Sequence, residues 1–180
     1  MKQKLIMTCA ASALLSLTAC ASLQNVDNKW CPPVEAAPAP VVVPPAPVQM
    51  ERVELSADAL FKFDRSTVAD LLPEGRRQLD ELASRISNGY VRIEQIRITG
   101  HTDRLGSESY NQRLGLARAT TVKDYLMSQG VNVAMEVASA GESQPKTTSC
   151  VGNKATATLI ACLQPDRRVE VDVTGVKKAE

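Results

Sequence analysis

The sequence predicts an α+β domain in which helices pack on one face of a mixed four-stranded sheet. Some segments alternate apolar and polar residues, as half-buried strands do. Other segments carry apolar residues three and four positions apart, which is the spacing of an amphipathic helix. These segments follow one another in the order strand, helix, strand, helix, strand, helix and strand, and no internal repeat is visible.

Alternation of apolar and polar side chains defines the four predicted strands. They cover residues 61–64, 91–100, 133–140 and 167–173. In the first strand, Phe61 and Phe63 carry the alternation. In the second strand the alternation changes phase, which predicts a β-bulge at Glu94 and Gln95.

The first predicted helix lies between the first two strands. Leu79, Leu82 and Ile86 have helical spacing, and Pro73 suits the first turn because a first-turn residue needs no amide hydrogen. Gly89 favours the end of this helix. A further short helix is predicted over residues 155–162, before the last strand.

The second predicted helix starts near Ser109, because Ser109 and Gln112 have the spacing of a capping box, and Gly130 favours its end. One face of this helix carries Asn111, Leu114, Arg118 and Val122. Leu114 and Val122 make this face apolar, so it should pack inward. Arg118 is therefore predicted to be buried.

A buried arginine requires an anion, since an unpaired buried charge costs several kcal/mol or more. Two interpretations follow for Arg118, and the residues alone favour neither. In one, Arg118 forms an internal ion pair with Asp103 in the loop after the second strand. In the other, the two side chains line a pocket at the end of that strand. Asp103 then binds a cation, Arg118 binds an anion, and Asn111 supplies an amide.

Residues 96–126 resemble the signature of the OmpA-like domain. This domain is the peptidoglycan-binding module of OmpA C-termini, peptidoglycan-associated lipoproteins and flagellar stator proteins. The residues that match the helix pattern of the family are Asn111, Leu114, Arg118, Ala119, Val122 and Leu126. Gly115 replaces the usual serine, and we expect it to soften the first turn by about 1 kcal/mol. The GHTD sequence of residues 100–103 also matches, and the resemblance extends over about residues 53–173.

This resemblance implies a ligand. Stem peptides of Gram-negative peptidoglycan contain meso-diaminopimelate, whose side chain ends in an ammonium and a carboxylate on one carbon. Asp103 would bind the ammonium and Arg118 the carboxylate, with two parallel hydrogen bonds. Asn111 could bond either end of the ligand or cap the helix locally, and Asp64, Thr102 and Arg168 are further candidates for the same pocket. The family more often has asparagine where Asp166 stands, and Asp166 could form an ion pair with Arg168.

The implied function is non-covalent binding of peptidoglycan, which would tie the outer membrane to the cell wall without any cofactor. An alternative is an interaction module that docks a porin, an efflux component or a secretion component. An enzyme that acts on the wall is disfavoured, because His101 is the only histidine and no metal-ligand cluster is visible. We expect His101 to be packed and hydrogen-bonded. A net charge of +1 gives no reason to expect nucleic-acid binding.

Residues 1–20 resemble an export signal, with a charged start and an apolar run too short for a permanent membrane span. The run ends in Leu-Thr-Ala-Cys, which resembles a lipobox and predicts lipidation of Cys20. Cleavage after Ala21 is the alternative. Ser22 lacks the aspartate that retains many lipoproteins at the inner membrane. By analogy, we expect lipid anchoring on the periplasmic face of the outer membrane.

These signals divide the chain into a signal peptide at 1–19, a lipid anchor and proline-rich tether at 20–50, the folded domain at 51–176 and a tail at 177–180. Export permits disulfides, and Cys150 and Cys162 bracket a short insertion before the last strand. We expect these two to pair, with free buried thiols as the alternative. Cys31 is left over and could stay free or pair with another chain.

Overall fold

The computed structural model describes residues 45–179, so the predicted signal peptide and most of the tether lie outside the described residues. The strands are β1 (Gln49–Ser56), β2 (Tyr90–His101), β3 (Met135–Gly141) and β4 (Arg168–Lys177). The helices are α1 (Ala57–Leu60), α2 (Pro73–Gly89), α3 (Glu108–Ser128) and α4 (Ala157–Cys162). Within the described residues, no helix combines the length and the apolar character that a membrane crossing requires.

The strands form a mixed four-stranded sheet in the order β1-β4-β2-β3. Only the pair β2 and β3 is parallel, and β4 runs antiparallel to both β1 and β2. The predicted α+β class and the mixed sheet are therefore confirmed. The predicted bulge is also present, because the register of β2 against β4 shifts between Ile93 and Gln95.

The predicted first strand is wrong. Phe63 is 81% exposed, and Phe61 forms only an isolated bridge with Leu71. The true first strand is β1, in which Val53 and Leu55 pair with β4 and face the core. A four-residue alternation is too short to outweigh the pairing of eight residues along β4.

Helix α3 begins two residues earlier than Ser109 and Gln112 predict. Ser107 is the N-cap residue, and its hydroxyl accepts a hydrogen bond from the amide of Tyr110. Its predicted end is correct, since Gly130 follows the helix with φ of 90° and Gln129 is the C-cap. The helix therefore starts in the loop after β2 and packs mainly against β2 and β3.

The core lies between α2, α3 and one face of the sheet. Its largest buried side chains include Leu60, Phe61, Leu79, Ile96, Ile98, Val122, Leu126, Val169, Val171 and Val173. Helix α3 approaches β2 most closely where Gly115 meets Gly100. A Cβ atom on Gly100 would lie 1.9 Å from the carbonyl oxygen of Gly115. A Cβ atom on Gly115 would lie 2.9 Å from the carbonyl oxygen of Gly100. Gly115 is therefore required by packing, and it is the eighth residue of α3 rather than part of the first turn.

Candidate functional site

A cavity of about 130 Å³ opens where β2 ends and α3 begins. Its lining residues are Asp58, Phe63, Asp64, Thr102, Asp103, Leu105, Tyr110, Asn111, Leu114, Arg118, Ala155, Ile160 and Arg167. Five of the six predicted ligand residues are among them. Helical spacing in α3 puts Asn111, Leu114 and Arg118 on one face, and that face forms one side of the cavity.

Arg118 is buried, with 4% of its surface exposed, and no described residue forms an ion pair with it. Its Nε donates a hydrogen bond to the carbonyl of Arg65 at 3.1 Å, and its guanidinium carbon lies 5.7 Å from the centre of the Phe61 ring. Burial lowers the pKa of Arg118, while nearby Asp58 and Asp64 oppose this. An arginine side chain stays cationic in proteins, so the cavity contains an incompletely paired positive charge.

The partner of Asp103 is Arg167, so the first of the two interpretations, an internal ion pair between Asp103 and Arg118, is wrong. Arg167 Nη1 lies 2.7 Å from Asp103 Oδ2. The other carboxylate oxygen accepts the amide hydrogen of Leu105 at 2.9 Å. Each carboxylate oxygen can accept a second hydrogen bond, so Asp103 retains the capacity to bind a further donor.

Arg167 connects Asp103 to two other segments. Its Nη2 lies 2.7 Å from a carboxylate oxygen of Asp58, and its Nη1 also donates to the carbonyl of Ile160 at 3.0 Å. The hydrogen bond with Asp58 is the main reason that the pKa of Arg167 is raised. The sequence analysis missed both Arg167 and Asp58. The alternation of the last strand could have identified Arg167, because Arg167 lies two residues before the core-facing Val169 and should point to the same face.

Arg168 does not reach the cavity. It lies on the opposite face of the sheet, where its Nε donates to Glu170 at 2.7 Å. Adjacent residues of a strand point to opposite faces, so only one of Arg167 and Arg168 could enter the site. Asp166 does not form the predicted ion pair with Arg168. Its carboxylate instead accepts the amide hydrogens of Lys146 and Thr147 at 2.7 and 2.9 Å.

Three further polar side chains line the cavity. Asn111 donates to the carbonyl of Asp103 at 3.1 Å and also to Glu142, so it ties α3 to two loops. The hydroxyl of Thr102 is buried and has no hydrogen-bond partner among the described residues. Asp64 has a φ of 57° and accepts a hydrogen bond from the hydroxyl of Tyr110, which raises the pKa of Tyr110.

His101 is packed as predicted, with 1% of its surface exposed, but it is not hydrogen-bonded. Its Nε2 lies 3.6 Å from Glu170, on the face of the sheet opposite the cavity. Burial, followed by the charge of Arg168, lowers the pKa of His101. His101 therefore does not contribute to the candidate site.

The structure joins Cys150 and Cys162 in a disulfide, as predicted, with a Cα–Cα distance of 5.8 Å. Ala155 and Ile160, which lie between these cysteines, form part of the cavity wall. The completed site contains two arginines, three aspartates and an unpartnered hydroxyl beside apolar side chains. Such a site can bind a small group that carries both an anion and a cation.

Comparison with known sequences gives one family. The model of the OmpA family matches residues 60–158. Outer membrane protein A of Citrobacter freundii is 45% identical over 143 residues, which cover 77% of this chain and 59% of that protein. Outer membrane protein A of Escherichia coli O157:H7 is 44% identical over 147 residues, covering 79% of this chain and 42% of that protein. The chain spans less than two thirds of the length of these relatives.

Solved structures share the fold. The periplasmic domain of Helicobacter pylori MotB (residues 97–256) superposes with a TM-score of 0.54 at 20% identity, covering 71% of this chain and 83% of that chain. The cell wall anchor of the T6SS from Pseudomonas aeruginosa gives a TM-score of 0.53 at 23% identity, with coverages of 72% and 87%. At these identities, the likeness concerns the fold alone.

Proposed function

Because the chain belongs to the OmpA family, we propose that its domain binds peptidoglycan non-covalently through the meso-diaminopimelate of stem peptides. In this way it ties the outer membrane to the cell wall. One observation carries the proposal: the buried cation of Arg118 faces a cavity and has no carboxylate partner among residues 45–179. A ligand carboxylate supplies the missing anion.

Arg118 binds the ligand carboxylate. Its Nε is already engaged with the carbonyl of Arg65, and the remaining guanidinium N–H groups are available for the incoming carboxylate. A hydrogen bond to a charged group contributes about 1.5–3 kcal/mol. Because Arg118 sits in a buried cavity above the ring of Phe61, water competes weakly for these bonds.

The ligand ammonium binds at the acidic side of the cavity. Asp103 holds its carboxylate between Arg167 and the amide of Leu105 and still has lone pairs for one more donor. The unpartnered hydroxyl of Thr102 lies next to Asp103 in the chain and lines the same cavity. These acceptors satisfy an ammonium group, which has three hydrogens to donate.

The same arrangement discriminates diaminopimelate from lysine. A lysine side chain ends in an ammonium without the adjacent carboxylate, so it would leave Arg118 unpaired in the cavity. Sites that lose a buried polar partner in this way reject the smaller analogue strongly. We therefore expect the domain to prefer diaminopimelate-type walls over lysine-type walls.

Co-sedimentation with purified diaminopimelate-type sacculi tests the proposal. The matched variants are Arg118→Ala and Arg113→Ala, because both arginines lie on α3 but Arg113 is exposed. Wild type and Arg113→Ala should sediment with the sacculi, and Arg118→Ala should remain in solution with unchanged circular dichroism. Equal sedimentation of all three proteins would refute the assignment of the pocket.

We also propose that Cys20 carries lipid and that residues 20–50 form the tether between membrane and domain. The support is the Leu-Thr-Ala-Cys sequence that follows the apolar run. Several acyl chains together give firm anchoring, at about 0.8 kcal/mol per buried CH₂. Radioactive palmitate should label the wild type and not Cys20→Ala. Absence of label in the wild type would instead favour cleavage after Ala21.

A further inference from the structure

The segment 151–161, which the disulfide closes, forms one wall of the candidate pocket through Ala155 and Ile160. Residues 151–158 are exposed, and Leu159 is the only buried side chain of the segment. So little buried apolar surface gives a segment low local stability. Its position therefore depends on the covalent bond at its ends and on a few hydrogen bonds.

Those hydrogen bonds lead to the loop that contains Asp103. Arg104, the next residue in that loop, donates from Nη2 to the carbonyls of Cys150 and Gly152 at 2.8 and 3.0 Å. One end of the disulfide-closed segment is thereby hydrogen-bonded to the side chain of the residue that follows Asp103.

The other end reaches Asp103 through Arg167. The Nη1 atom of Arg167 donates to the carbonyl of Ile160 at 3.0 Å and to the carboxylate of Asp103 at 2.7 Å. Ile160 lies two residues before Cys162, so the disulfide restricts where this carbonyl can move. The carbonyl and the carboxylate together determine the orientation of one guanidinium nitrogen.

We propose that the Cys150–Cys162 disulfide positions Arg167, and through it the Asp103 carboxylate, for the ligand. This inference rests on the proposed function. Cys150, Cys162 and Arg167 are positioning residues in this account. Reduction by dithiothreitol breaks the S–S bond, yields two cysteine thiols and oxidises dithiothreitol to its cyclic disulfide. The freed segment then no longer holds the Ile160 carbonyl in place, and a disordered acceptor set binds the ligand more weakly.

Sedimentation of the full chain with diaminopimelate-type sacculi, over a range of sacculus concentrations, tests this. The proteins are the oxidised wild type, the dithiothreitol-reduced wild type and the double variant Cys150→Ser with Cys162→Ser. Cys31→Ser is the matched control, since it also removes a cysteine. Reduction and the double variant should each raise the half-saturating concentration fivefold or more, while Cys31→Ser leaves it unchanged. A smaller change, or tighter binding, overturns the inference.

A double-mutant cycle tests the route through Arg167. In an Arg167→Gln background, removing the disulfide should change the half-saturating concentration less than twofold. If the two changes instead weaken binding independently, so that their effects add, the route through Arg167 is contradicted. The variant Arg104→Gln keeps the disulfide, so it tests the inference even if the double cysteine variant fails to fold. It should weaken binding in the same direction, and unchanged binding counts against the inference. Failure of the oxidised wild type to sediment refutes the proposed function instead.

Discussion

Arg167, and not Arg118, is the cation paired with Asp103, with 2.7 Å between Arg167 Nη1 and Asp103 Oδ2. This pairing leaves Arg118 buried and without an ion-pair partner among the described residues. The site therefore holds one cation that orients an aspartate and a second that faces the cavity. The two arginines have different roles although they line the same pocket.

The first prediction concerns the adjacent arginines Arg167 and Arg168. Each has a buried carboxylate partner, so Arg167→Gln and Arg168→Gln should each reduce the free energy of unfolding by about 3 kcal/mol. Only Arg167 lines the cavity. Arg167→Gln should therefore weaken binding to sacculi about tenfold, and Arg168→Gln should leave it unchanged. Thermal unfolding and co-sedimentation measure the two effects, and loss of binding in Arg168→Gln would contradict the placement of these residues.

These two arginines also illustrate what the sequence could reveal about the site. Helical spacing alone identified Asn111 and Arg118 as neighbours on an inward face, and the structure brings both to the cavity. The pairing of Asp103 with Arg167 joins residues 64 positions apart. The periodicity of the sequence cannot reveal a contact between residues so far apart. The alternation of side chains along the strand does show that Arg167 and Arg168 point to opposite faces.

The fold was predictable wherever the hydrophobic pattern was long. The bulge in β2 followed from a phase shift, and α2 followed from Leu79, Leu82 and Ile86. The first strand was misplaced because Phe61 and Phe63 offered only a short alternation. What selects β1 is pairing with β4, a tertiary interaction that overrides local preference.

The second prediction concerns the close approach of α3 to β2. Alanine at Gly100 would place Cβ 1.9 Å from a backbone oxygen, whereas alanine at Gly115 would place it 2.4 Å from the Ser139 hydroxyl and 2.9 Å from a backbone oxygen. Overpacking typically reduces the free energy of unfolding by about 1–3 kcal/mol. A backbone atom can move aside less easily than a hydroxyl on a rotatable side chain. Gly100→Ala should therefore cost about 3 kcal/mol or more of unfolding free energy, and Gly115→Ala less.

Gly89 provides the control for this series. It ends α2, and a Cβ atom there would meet nothing within 4 Å. Gly89→Ala should be neutral or stabilise the protein by up to about 1 kcal/mol, because alanine has the higher helix propensity. Chemical denaturation of the three variants measures the differences. A Gly100→Ala protein as stable as Gly89→Ala would contradict the observed packing.

The third prediction concerns acid stability and His101. Burial lowers the pKa of His101 in the folded protein, with Arg168 and Arg52 acting in the same direction and Glu170 and Glu54 opposing them. The unfolded chain, with an ordinary histidine pKa of about 6.5, therefore binds a proton first as the pH falls. Above that pH, His101 does not change the free energy of unfolding. Below it, the free energy of unfolding decreases by at most about 1.4 kcal/mol per pH unit, until the pH reaches the pKa of His101 in the folded protein.

His101→Asn removes this titration and keeps a neutral polar side chain. Denaturation curves collected from pH 7 downward should show that the stability of the wild type falls more steeply than that of the variant. Carboxylates titrate in both proteins, so the difference between the two curves isolates His101. Parallel curves would mean that the pKa of His101 is not lowered by folding.

The most direct test of the central claim is isothermal titration of the full chain with free meso-diaminopimelate. We expect saturable binding of one ligand per chain, at least tenfold weaker binding of lysine whose α-amino and α-carboxyl groups are both blocked, and no detectable heat from Arg118→Ala. Arg118 would then be the group that recognises the carboxylate. If the wild type binds neither ligand, or if Arg118→Ala binds diaminopimelate as tightly as the wild type, the cavity is not a diaminopimelate site.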